Sequence, residues 1–257
     1  DSCYVFAATG ESDVAVIDTE SNQLAARITL ASTQYNSFTR SVALAPDGTR
    51  AYVTLYWDHA VALIDTLALQ EVDIDRNPDN GVTHINLPAD AQPFWAVADP
   101  NGQYLYVGDE LNPVIYVIAI NPLLRDYNQL CATIPLSDAP AGLRGMDISA
   151  DGKRLYAAAP SGSDAGGKVL VINTDPADVS NFHTQVAALD AGRDPYGVTA
   201  TADPMKIAFT SLSDASGLGL ITADASRNGG TIDNVSMYLG SRKDLFDVNN
   251  IVAVAIR

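Results

Sequence analysis

Apolar residues run along the chain in blocks of four to seven, rich in Val, Ile, Tyr and Ala, and Asp-Gly, Asn-Gly, Asp-Pro and Ser-Gly pairs punctuate them. Blocks of that length bounded by turn residues predict β-strands. No window sustains the i, i+3, i+4, i+7 spacing of an amphipathic helix, so the pattern predicts an all-β chain.

The blocks repeat. Ser41 to Gly48 (SVALAPDG), Trp95 to Gly102 (WAVADPNG), Gly145 to Gly152 (GMDISADG) and Gly197 to Pro204 (GVTATADP) are four versions of one strand and its tight turn. With IVAVAIR from Ile251 to Arg257 as a fifth, the equivalent positions Val42, Ala96, Met146, Val198 and Val252 stand 54, 50, 52 and 54 residues apart. A second strand follows each turn, at Arg50, Tyr104, Arg154 and Lys206, and CYVFAA near the start is another copy of it. The third strand is VAVIDT, VALIDT, VIAINP, VLVINT and LGLITA, and a more variable fourth follows. Asp18 and Asp65 in this third strand are matched by Asn121 and Asn173, and by Thr222 in the last copy. An acid that alternates with its amide is not a catalyst; Asp and Asn share the ability to accept a backbone N–H two residues on, which predicts an Asx-turn.

Four antiparallel strands at a period of about 50 residues predict a β-propeller. The blades fall at residues 1–38, 39–92, 93–142, 143–194 and 195–247, with residues 248–257 as a strand that completes the first blade. Five blades' worth of chain makes either a closed five-bladed ring or part of a larger propeller, for example a seven-bladed one. The pattern VAxxPDGxRAYVTx…xxVxVIDT…xxxxTIPL resembles the YVTN repeat family of β-propellers found in bacterial and archaeal surface proteins. That family is similar in shape to lactonase-like propellers and to the haem d1 domain of cytochrome cd1 nitrite reductase.

Charge narrows the partners. Thirty-one acids against fifteen Lys and Arg give a net charge of −16, and only four of the cations are Lys. Such a field repels nucleic-acid phosphates and anionic lipid, and no run reaches the roughly 18 apolar residues of a spanning helix. A strongly hydrated acidic surface suits an extracellular, cell-surface or periplasmic protein. The chain starts at Asp1 without Met or export segment, as a mature form or a piece of a longer protein with neighbouring domains would. Cys3 and Cys131 are too few for a disulfide scaffold; one bridge or two buried thiols are both open, with burial as apolar residues the expectation.

Candidate chemistry lies where the copies differ. The position entering the first strand is Arg40, Phe94, Arg144, Tyr196 and Asn250 in successive blades, two guanidiniums among aromatic rings that suit a carboxylate or phosphate at the mouth of a central channel. The loops between second and third strands add Trp57, His59, Asp109 and Glu110, a surface for a protein or carbohydrate partner. In the second blade Asp73, Asp75, Asn77 and Asp79 alternate along an insertion before the fourth strand. Alternating oxygens suit Ca²⁺, while the other reading is a solvated loop whose Asx side chains cap their own turns. HExxH, GxSxG, a Gly-rich phosphate loop and CxxC are all missing. The residues therefore favour a non-catalytic binding or structural platform. The resemblance keeps two alternatives open: a lactonase-like hydrolase at the channel mouth, and a redox-cofactor propeller of the haem d1 kind.

Overall fold

A computed structural model describes residues 3–32, 36–162, 166–191, 194–201, 206–211, 217–223 and 230–231. Twenty strands occur among them, and no helix does. They form five antiparallel sheets in chain order. The first holds β1 (Tyr4–Ala8), β2 (Asp13–Asp18) and β3 (Gln23–Thr29). The second runs β4 (Thr39–Leu44), β5 (Arg50–Leu55), β6 (Ala60–Asp65) and β7 (Gln70–Val72), with β8 (Ile85–Asn86) also pairing with β6. The third is β9 (Pro93–Ala98), β10 (Tyr104–Asp109), β11 (Val114–Ala119) and β12 (Leu130–Pro135). The fourth is β13 (Met146–Ile148), β14 (Arg154–Ala159), β15 (Lys168–Asn173) and β16 (Thr184–Asp190). The last is β17 (Pro195–Ala200), β18 (Lys206–Ser211), β19 (Gly217–Ala223) and β20 (Gly230–Thr231). Residues 248–257, the expected completing strand, lie outside the described residues.

Two compact units divide the chain, residues 1–109 with 115–133 and residues 110–114 with 134–257. In the first unit Val14, Val16, Ile28 and Leu30 of one sheet pack on Ala51, Val53, Leu55, Ala62 and Ile64 of the next. β2 buries alternate residues only, whereas β6 buries its first five in a row. A strand covered on one face alternates, and a strand covered on both reads as a continuous apolar run. The second unit repeats the arrangement, with Tyr156, Val169, Val171 and Leu189 packed on Val198 and Ile207. Tyr52, Tyr106 and Tyr156, four residues past each turn Gly, are all about 1% exposed. Burial pushes the phenols of Tyr52 and Tyr106 far above their usual range.

Turn chemistry is as regular as the strands. Between first and second strands the N–H of Gly48, Gly102 and Gly152 donates to Ala45, Asp99 and Ser149 O at 2.8, 2.8 and 2.7 Å. All three glycines sit near φ +70°, a conformation that a Cβ disfavours. At the third-strand ends Oδ1 of Asp18, Asp65, Asn121 and Asn173 accepts the N–H two residues on, at 2.9–3.0 Å. These are the Asx-turns expected from the repeat. The residue just before the fourth strand is left-handed in the first, second and fourth sheets: Asn22, Leu69 and His183.

Two local expectations need correction. The Asp73 insertion lies inside the fourth strand, splitting it into β7 and β8, rather than before it. Cys3 and Cys131 are exposed thiols with no disulfide between them, not buried apolar residues. The Cys131 thiol still bends back to the Val117 carbonyl at 3.3 Å, and partial burial raises its pKa. The first sheet has three strands among the described residues, and Val5 in β1 is 49% exposed. Ala51 and Leu105, at the same register in the next two sheets, are fully buried under their first strands.

His183 stacks on Phe182 with ring centroids 3.8 Å apart, and burial lowers its pKa from 6.5 to about 4. On acidification the unfolded chain takes up this proton first, so stability declines as pH falls from about 6.5 towards 4. We expect the urea midpoint to drop between pH 7 and pH 4.5, and His183→Asn, which tolerates the left-handed backbone, to flatten that drop. An equal drop in both proteins would remove His183 as its cause.

Candidate functional site

Arg40 lies in β4 and Phe94 in β9, on neighbouring sheets of the first unit. The Arg40 guanidinium carbon is 4.4 Å from the Phe94 ring centroid and 4.6 Å from that of Phe38, with Tyr56 at 5.5 Å. Phe38 continues outward to Trp57 at 6.5 Å and 22°, while Tyr56 meets Trp57 edge-on at 4.7 Å. The result is a column of ring, cation, ring and indole. Stacking of this kind is favourable because the guanidinium is planar and weakly hydrated. Positional equivalence along the repeats places Arg40 beside Phe94. It misses Phe38 and Tyr56, since Phe38 reaches the site through a left-handed backbone, φ 55°, that nothing in the local sequence signals.

The loop carrying Trp57 is braced from several sides. Tyr56 and Trp57 N–H groups donate to the carbonyls of Phe38 and Ser37, at 3.4 and 3.1 Å. Ser32 Oγ donates to Asp58 Oδ2 at 2.8 Å. The His59 ring meets the Ala91 carbonyl, and its own carbonyl accepts Leu87 N–H at 2.9 Å. Trp57 nevertheless keeps 48% of its surface in solvent. Asp109, by contrast, is fully buried at the end of β10, where the strand is bulged. Its Oδ2 accepts Gln92 N–H at 2.7 Å and the Tyr116 hydroxyl at 3.0 Å, and burial lifts that phenol well above its usual range.

In the second unit Arg144 Nη1 donates to the carbonyls of Glu110 and Leu143, at 3.0 and 2.9 Å, and stands 3.9 Å from the Glu110 carboxylate. Two glycines let this segment approach so closely. A Cβ on Gly142 would lie 2.1 Å from Glu110 O, and one on Gly145 2.8 Å from Tyr196 O. Gly145 N–H donates to that same Tyr196 carbonyl at 2.7 Å, so Tyr196 takes part here through its backbone. Asn250 lies outside the described residues.

The Asp73 to Asp79 loop is held by its own side chains. Asp73 Oδ1 accepts the Thr83 N–H and hydroxyl at 2.9 and 2.7 Å, bonds that hold its carboxyl below the usual range. Asp75 Oδ1 accepts Asn77 N–H at 2.8 Å, Asn77 Oδ1 accepts Asp79 N–H at 3.1 Å, and Asn80 Nδ2 donates to Asp75 Oδ2 at 2.9 Å. Among the described residues no three His, Cys, Asp or Glu side chains are grouped closely enough to hold a metal ion. At the root of the insertion Glu71 pairs with His84 at 2.9 Å and accepts Ala31 N–H at 2.8 Å, tying the first two sheets together.

No protein-family model matches the chain. No curated protein matches it either. Among solved structures it is similar to hydrazine synthase of Kuenenia stuttgartiensis, at 20% identity and TM-score 0.69. That match covers 90% of this chain and 62% of the other, so the chain spans less than two thirds of that relative. It is also similar to a putative 6-phosphogluconolactonase from Bacteroides uniformis, at 16% identity and TM-score 0.69, over 89% of this chain and 68% of that one. At such identities the likeness is one of fold, and with the repeated antiparallel sheets it makes this an all-β chain of propeller blades.

Removing the cation from the column is costly, because two rings then face a void. Arg40→Ala is expected to lose about 2 kcal/mol or more in urea unfolding, and Arg40→Lys to recover less than half of it. Equal stability of the Ala variant and the parent would show that the stack contributes nothing. With oxygens of the 73–79 loop bonded to the loop's own backbone, melting points in about 1 mM Ca²⁺ and in chelator are expected to agree within about 1 °C. A rise of several degrees with Ca²⁺ would assign these oxygens to the ion.

Proposed function

We propose that the chain is a non-catalytic propeller module of the YVTN-repeat kind, working at a cell surface or in another extracytoplasmic space, and that it binds a protein or carbohydrate partner through the loops between second and third strands. The observation that carries this reading is the commitment of the polar groups a hydrolase would use. Arg144 is held by two carbonyls and by Glu110, Asp109 is buried under Gln92 and Tyr116, and the His59 ring faces a carbonyl. General acid–base or oxyanion chemistry needs such groups within reach of a substrate. The side chains these loops leave in solvent include large apolar ones: Trp57 in the first unit and Leu111, 58% exposed, in the second. Exposed aromatic and aliphatic anchors on a rigid scaffold suit recognition. The acidic, Lys-poor composition supports a hydrated location outside the cytoplasm.

A second reading is a lactonase-like hydrolase built on Arg144 and Glu110. Its support is the similarity to a protein described as a putative 6-phosphogluconolactonase. A pH-stat assay with gluconolactone and its 6-phosphate separates the two. The platform reading expects ring opening at the spontaneous rate. Hydrolysis that exceeds the blank and is abolished by Arg144→Ala would replace it with the hydrolase.

A further inference from the structure

The outer end of the aromatic column is unfinished. Phe94 and Phe38 hold the Arg40 guanidinium between them, and Trp57 extends the stack to the surface, where 48% of it meets water. The molecule thus already contains one instance of what this cluster binds, a planar cation between rings. Trp is the strongest of the aromatic platforms for a cation. Bonds to Ser37, Phe38 and Ser32 hold the backbone of the Trp57 loop and the Phe38 and Tyr56 rings pack on the indole, so the ordering cost on binding is reduced.

The surrounding field selects the sign of the ligand. The first unit, residues 1–109 and 115–133, carries sixteen carboxylates against five arginines and no lysine. Arg27 and Arg50 are paired with Asp13 and Asp65, and Arg40 is inside the column. Asp58 adjoins Trp57 in the chain. Glu11 is linked to the same entry segment, since its Oε2 accepts Asn36 Nδ2 at 2.8 Å and Asn36 Oδ1 accepts Phe38 N–H at 2.7 Å. A long-range negative potential draws basic groups towards such a platform and repels phosphate and sulfate.

We propose that Trp57 is the anchor at which an Arg-rich segment of a partner protein docks, its guanidinium stacking on the indole while neighbouring carboxylates take the remaining charge. The proposal rests on the reading of these loops as a binding surface and names the partner's chemistry.

The test uses Trp95→Phe protein, in which Trp57 is the sole tryptophan, titrated with hexa-arginine while indole emission is followed. Saturable quenching is expected, still measurable at about 500 mM NaCl, where the long-range field is screened. Trp57→Ala in the otherwise native protein should bind the same peptide roughly two- to fivefold more weakly by calorimetry. Equal affinity of parent and Trp57→Ala would overturn the proposal and leave only bulk attraction to an acidic protein. Should the Ala variant lose its β-sheet spectrum, Trp57→Phe carries the same comparison, with a smaller loss expected and unchanged affinity again overturning the proposal. Cellohexaose is the second titrant. Quenching by this neutral sugar and not by hexa-arginine would also overturn the basic partner, while the platform reading would stand on the lactone assay.

Discussion

Sheets that are apolar on both faces cannot stand alone in water, and this constraint organises the rest of the molecule. β6 buries Ala60 through Ile64 without a break, so both faces of that five-residue stretch are closed to solvent. Burying such a strand against sheets on both sides stabilises by roughly 1.5–3 kcal/mol for each large side chain, far more than any single hydrogen bond in the loops. Stacking therefore fixes the positions of the strand ends, and the loops inherit a rigid base.

The turns show how little freedom the stacking leaves. Where one strand must reverse into the next within two or three residues, the same devices recur: a glycine near φ +70° at the first turn and an Asx oxygen on a backbone N–H at the third-strand end. Those positions are legible in sequence because the backbone, not the partner, dictates them. Fold class, repeat period and strand order are legible for the same reason. The Asx-turn in particular could be read from the exchange of Asp18 and Asp65 for Asn121 and Asn173, since a turn tolerates that change and a catalyst does not.

Other features depend on neighbours distant in the chain, and sequence is silent on them. Cys3 and Cys131 occupy strand or near-strand positions that local composition reads as buried, yet both are exposed. Phe38 and Tyr56 look like ordinary core aromatics, yet both rings face Arg40, Phe38 from a left-handed backbone just before β4. The alternating acids from Asp73 to Asp79 read equally as an ion loop or a self-capped loop. Side-chain geometry shows oxygens already engaged by the Asn77, Asp79 and Thr83 backbone N–H groups. Arg40 and Phe94 were recoverable because equivalent positions in adjacent repeats are brought side by side by the fold itself.

The column around Arg40 shows how a stacked β architecture turns a packing problem into a surface feature. A guanidinium half-buried among Phe38, Tyr56 and Phe94 trades water for ring faces, a trade that a compact ammonium makes poorly because it is more strongly hydrated. Once Arg40 is fixed, Phe38 is fixed above it, and Trp57 has only the outward direction left. An exposed indole produced in this way is held by the same contacts that hold the sheets together. It can therefore be altered at its tip without disturbing the strands, whereas Arg40 beneath it cannot. The division between a tip free to vary and a base that is not is what lets one repeated strand pattern carry loops as different as those of Trp57 and Glu110.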